Sequence, residues 1–180
     1  MVDALKLKIK TLPFGIHAVE CHVDETFFNL DEQTEVRSAS VDVAVTVTRK
    51  SETTYHLEIA CHGTVTVPCD RCLDDLDLPV EVDYRLDVEQ TGTELDDTND
   101  ELLIVPSEWR ELDTAPLVRD TVLLSIPMTH CHASEDDCNA DMLDMLDSHR
   151  VESVSADDDG DNQTSGTDPR WEALKKLKEQ

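Results

Sequence analysis

Apolar side chains recur at every second position over the first two-thirds of the chain, the signature of half-buried β-strands. Val41, Val43, Val45 and Val47 are the cleanest case, alternating with Asp42, Ala44, Thr46 and Thr48. Tyr55, Leu57 and Ile59 resume the pattern beyond Arg49-Lys50-Ser51, so the two runs predict a hairpin. Leu78, Val80, Val82, Tyr84, Leu86 and Val88 form a second long alternation. Shorter strands are expected over residues 5–9, where Leu5, Leu7 and Ile9 alternate with lysines, and over 16–23 and 102–105. No segment of helical length separates the long strands, so the sheet is expected to be antiparallel.

Helical spacing is rarer. Asp24 reads as the N-cap of a short turn anchored by Phe27 and Phe28. Asp113-Thr114-Ala115-Pro116 reads as a helix start, with Leu117, Val118, Thr121, Val122 and Leu124 following and Pro127 ending the run. This helix is expected to cover one face of the sheet. Residues 92–100 are acidic and turn-rich, a loop, and 140–149 form a short acidic helix carrying Met142, Leu143, Met145 and Leu146. Residues 151–167 have a linker's composition, rich in Asp, Ser, Gly and Thr. Trp171, Leu174 and Leu177 then mark a last amphipathic helix over 168–180, too short to be stable undocked. The fold class is α+β, mainly β: an antiparallel sheet or partly open barrel covered by one helix. Residues 1–150 are expected to be one β-rich domain, 151–167 an acidic disordered linker and 168–180 the short C-terminal helix.

Charge narrows the function classes. The 180 residues hold 15 Lys and Arg against 41 Asp and Glu, a formal net charge of −26. Such a surface repels a phosphate backbone, so a broad basic face for nucleic acid is excluded. Basic proteins and metal ions are the matching partners. The first residues alternate charge with apolar side chains and lack the apolar core of a signal peptide, and no apolar run approaches the ~20 residues that span a bilayer. A cytosolic chain with reduced or metal-bound thiols is expected.

Chemistry concentrates at Cys69-Asp70-Arg71-Cys72, where Val65 and Val67 deliver the chain into a Cys-x-x-Cys pair. Zinc takes four ligands in a tetrahedron, and such a pair supplies half of many structural sets. Cys131, His132 and Cys138 offer the other half. The preferred set is Cys69, Cys72, His132 and Cys138 around one structural zinc ion, with Arg71 offsetting the thiolate charge. Two alternatives stand beside it. A dithiol redox pair needs a helix to open at the first cysteine, whereas Asp74, Asp75, Asp77 and Pro79 follow here. Otherwise the two are thiols packed at a turn. Cys21 and Cys61 read as core, and His17, His22, His56 and His62 as ordinary hydrogen-bonded histidines. No phosphate-binding glycine loop, nucleophile elbow or dinucleotide fingerprint is present, so no reaction is indicated.

Taken in order, Phe27-Phe28, Gly63-Thr64-Val65 leading into Cys69-Asp70-Arg71-Cys72-Leu73, a helix ending at Ile126-Pro127, His132…Cys138 and the closing Asp168-Pro169-Arg170-Trp171-Glu172-Ala173-Leu174 resemble the YceD family, named for large ribosomal RNA subunit accumulation. The resemblance covers nearly the whole chain. It implies a cytoplasmic, bacterial, non-enzymatic factor supporting synthesis, processing or stability of large-subunit ribosomal RNA. Some relatives carry a fuller cysteine-rich segment where this chain has His132 and Cys138 with Cys131 beside them. Combined with the charge, the resemblance implies a basic ribosomal protein or the pre-ribosomal large subunit as partner. RNA contact is expected to be local, at Lys6, Lys8 and Lys10 or in the last helix. There Arg170, Trp171, Leu174, Lys175, Leu177 and Lys178 are the candidate partner-binding residues. The rival readings are an acidic adaptor or chaperone unrelated to ribosomes and a Cys-x-x-Cys dithiol redox protein.

Overall fold

The computed structural model describes residues 2–28, 35–92, 94–99 and 101–150. Four long strands run β2 (Gly15–Asp24), β3 (Ser38–Arg49), β4 (Thr54–Pro68) and β5 (Asp75–Gly92), each antiparallel to the next. The chain then forms β6 (Asp96–Asn99) and β7 (Leu102–Pro106). The strand order is β2-β3-β4-β5-β7-β6, an open six-stranded sheet rather than a closed barrel. Because β6 lies outside β7 and antiparallel to it, β7 runs parallel to β5, the one departure from the antiparallel expectation. The acidic loop expected over 92–100 contains this short β6. Its Asp96 carboxylate accepts from the Thr98 amide and hydroxyl, and the charged, exposed edge discourages pairing with a second chain.

The alternations translate directly into faces. Val43, Val45 and Val47 stand opposite Cys61, Ile59 and Leu57, and all six are buried, as are Val41, opposite Gly63, and Tyr55, opposite Arg49. The opposite face is polar: His22, Asp42, His62 and Glu81 lie side by side across four strands. The histidines there are ordinary, with His22 Nδ1 2.8 Å from Asp42 and His56 Nδ1 2.7 Å from Asp87. Lys50 and His56 together hold the Asp87 carboxyl below the usual range. Cys61 is buried as expected, and Cys21 is half-buried.

Among the described residues, two segments cover the apolar face. Helix α2 (Ala115–Ser125) begins where the Asp113 carboxylate accepts from the Ala115 amide, carries a proline in its first turn, and buries Ala115, Val118 and Val122. Leu124, expected on the same run, is 85% exposed. Six residues past Val118 it has rotated about 240° around the helix, away from the sheet. The expected N-terminal strand is instead two 3-10 turns, Val2–Leu5 and Ile9–Thr11, flanking the two-residue β1 (Lys6–Leu7), which pairs with β8 (Leu112–Asp113). Leu5, Leu7 and Ile9 are nonetheless buried. The segment packs into the core and not along a sheet edge, so its carbonyls find other partners. Thr114 donates to the Leu5 carbonyl through both its amide and its hydroxyl, and the Tyr55 hydroxyl donates to Ile9 O at 3.1 Å. Tyr55→Phe is therefore expected to lower stability by about 1 kcal/mol, read from urea unfolding. At the far corner α1 (Glu25–Phe28) forms as expected, capped by Asp24 on the Thr26 amide, with Phe27 and Phe28 edge-on at 5.3 Å.

Candidate metal centre

A second, smaller cluster sits beyond the end of the main core, where β4 turns into β5. Pro68 ends β4, and the chain reverses through residues 69–74. The Leu73 amide donates to Cys69 O and the Cys69 amide to Asp74 O, both at 2.8 Å. Leu73 closes the turn with φ +63°, a left-handed conformation that costs a leucine roughly 1 kcal/mol. The tight reversal turns both thiols inward, and Cys69 and Cys72 are fully buried.

The segment after α2 docks on this turn. The Asp70 amide donates to His130 O at 2.9 Å, and the Asp70 carboxylate accepts from the His130 amide at 2.8 Å. Arg71 reaches over to donate to the His132 carbonyl and pairs with Glu135 at 3.5 Å. Ser134 then caps the 3-10 turn Glu135–Asp137, which delivers Cys138. Helix α3 (Ala140–Ser148), opened by Asn139 accepting from the Asp141 and Met142 amides, packs Met142 and Leu143 against the cysteines. Met145 and Leu146, expected on the same helix, are exposed.

These contacts bring Cys69, Cys72, His132 and Cys138 together, with their ligating atoms all within 4.8 Å of one another. His132 Nδ1 lies 3.5 Å from Cys72 Sγ and 3.6 Å from Cys138 Sγ. A tetrahedral zinc with ordinary bond lengths holds a sulfur and a nitrogen roughly 3.5 Å apart. The other ring nitrogen, Nε2, is 3.3 Å from Asp75 O; donating there, it leaves the Nδ1 lone pair facing the sulfurs.

The electrostatics suit a cation. Burial pushes the Cys69 thiol up, but the Cys72, His132 and Arg71 amides aimed at its sulfur hold it down to about 6. Burial, reinforced by the neighbouring Cys72 thiol, pushes Cys138 up to about 11. Burial disfavours the His132 imidazolium, but Cys69 and Cys72 raise it overall. The thiols thus crowd negative charge that a divalent ion relieves, and Arg71 stands beside Cys131 and Cys138 as the offsetting cation. Cys131 is half-buried and packs against the cluster. The redox alternative lacks its helix: a turn and then β5 follow Cys69.

The Asp70–His130 bridge, the Asp75 carbonyl and the α3 contacts were not read from the sequence. Ser134 followed by acidic residues is a capping signature that could have located the 3-10 turn ahead of Cys138. Arg170, Trp171, Leu174, Lys175, Leu177 and Lys178 lie outside the described residues.

Fold and site define a mainly β protein with an open sheet and a Cys3His cluster that could hold a metal ion. The chain belongs to the YceD family, described as large ribosomal RNA subunit accumulation protein, whose family model matches residues 57–178. The matched span takes in β5, α2, the Cys3His cluster and the C-terminal segment. No curated protein and no solved structure matches the chain. Among the described residues no helix is long and apolar enough to cross a membrane.

Proposed function

We propose that this protein is a non-enzymatic factor in large ribosomal subunit biogenesis, supporting synthesis, processing or stability of its RNA by binding a basic ribosomal protein or assembly factor in the cytoplasm. The family match over residues 57–178 is the observation that carries this reading. The net charge of −26 supports the chemistry of the partner, because it attracts cationic protein surfaces and repels bare RNA. Direct RNA contact is confined to local cations, Lys6, Lys8 and Lys10, whose described side chains are exposed, or Arg170, Lys175, Lys176 and Lys178 of the tail. Trp171, Leu174 and Leu177 supply the apolar side of that tail segment.

In this reading Cys69, Cys72, His132 and Cys138 hold one zinc ion as a structural clip, tying the β4–β5 turn to the chain beyond α2. The ion supplies no catalysis there; its four bonds replace a core too small to stand alone. Depletion tests the function. Large-subunit ribosomal RNA should fall relative to small-subunit RNA, and unchanged levels would reject the reading in favour of an adaptor unrelated to ribosomes. Binding to pre-ribosomal particles should also weaken as salt rises, since screening shortens the reach of an acidic surface.

A further inference from the structure

Helix α2 turns Val118 and Val122 into the sheet but leaves apolar surface uncovered at its carboxyl end. Leu124 is 85% exposed and Met128, just beyond the helix, is entirely so. Between α2 and β5 runs an open groove of about 530 Å³. The buried Leu86 and Leu103 form its floor, and Leu117 and Leu124 its helical wall. Asp83, Asp97 and Asp120 line it, Asp120 with Arg119 at 3.8 Å behind it, and among the described residues no Lys or Arg lines the groove itself. The last turn of α2, without a basic residue, adds the negative end of the helix dipole. Along the other wall, β7 pairs only with residues 87–92 of β5. Ahead of Asp87 the outer edge of β5 has no strand partner among the described residues.

We infer that this groove is the docking site for an extended segment of another protein, rich in Lys or Arg with apolar residues spaced between them. The apolar floor calls for apolar side chains, the acidic border for cations, and the open strand edge for a backbone that can pair with it. Nucleic acid fails the second of these, because its phosphates face the aspartates. The inference rests on the proposed basic partner and gives it a place on the molecule.

The probe is a short peptide of alternating Lys and Leu, compared with one of alternating Lys and Ser of equal charge. The full-length chain should bind the Lys-Leu peptide about tenfold more tightly than the Lys-Ser peptide. Leu124→Ser, and separately Asp97→Asn with Asp120→Asn, should each weaken Lys-Leu binding about tenfold. Glu111→Gln with Asp144→Asn removes the same two charges outside the groove and should leave binding close to wild type. Equal affinity for the two peptides, or equal loss in the charge control, would overturn the groove in favour of diffuse attraction. Displacement of the peptide by a large-subunit RNA fragment, or by the chain's own residues 168–180, would overturn it too. A cellular arm separates this inference from the function it rests on. If the wild-type gene restores large-subunit RNA to depleted cells and the Leu124→Ser form does not, the groove is the working surface. If both restore it, the groove is rejected while the function stands. If depletion changes nothing, the function itself fails.

Discussion

Cys72→Ser protein is expected to carry no zinc and to melt roughly 8–16 °C below the wild type. An ion present at about a thousandfold its dissociation constant stabilises the folded state by about 4 kcal/mol. At this chain length each kcal/mol moves the midpoint by about 2–4 °C. Cys72 is the candidate ligand to change because its sulfur lies 3.5 Å from His132 Nδ1 and because the main core does not lean on it. Native mass spectrometry should show one zinc per wild-type chain and none on the variant. A strong chelator should lower the wild-type midpoint to the variant's value and leave the variant unmoved. Matching midpoints, with a metal-free wild type indifferent to chelator, would leave four groups held only by hydrogen bonds. The sheet should survive in either case, since its valine and leucine core is a separate cluster.

Gly63→Ala should cost about 3 kcal/mol by overpacking, a fall of roughly 6–12 °C in the thermal midpoint. Gly63 lies within β4, paired to Val41 on one side and Val80 on the other. A Cβ there would run into the Ser40 carbonyl oxygen and meet Val41 Cα at 2.7 Å. Both are backbone atoms of a central strand, so no side-chain rotation relieves the clash and the β3–β4 ladder must part. The neighbouring Thr64→Ala, at an exposed position, should stay within about 0.5 kcal/mol of wild type and serves as the reference. Differential scanning calorimetry of the two variants decides the matter; equal midpoints would mean that the strands separate at no cost.

Most of the sheet was legible because its code is short-range. Alternation at Val41 to Val47 and at Leu78 to Val88 states both the strand and its buried face, whatever lies across from it. At Leu5, Leu7 and Ile9 the same alternation marked the buried side chains but not the backbone, which bends into 3-10 turns once its carbonyls bond Thr114 and Tyr55. Leu124 shares the helical spacing of Val118 and Val122, yet only one stripe of α2 meets β4 and β5 and Leu124 lies off it. The parallel placing of β7 beside β5 follows from the β6 excursion, which acidic turn residues disguised as a loop.

By itself the sequence determined the mainly β character, the buried valine faces, the start and stop of α2 and the four residue types suited to one ion. Those are properties of neighbours along the chain: side-chain alternation, capping groups, proline and the chemistry of thiol and imidazole. Tertiary structure alone decided that Cys69 and Cys72 meet His132 and Cys138. Sixty residues of sheet and helix separate His132 from Cys72, and the docking of Asp70 on His130 closes that gap. It also decided that, among the described residues, no strand covers the edge of β5 beside α2, because β7 reaches β5 only from Asp87 onward. Spacing in sequence can nominate ligands, but only packing sets the distances between them.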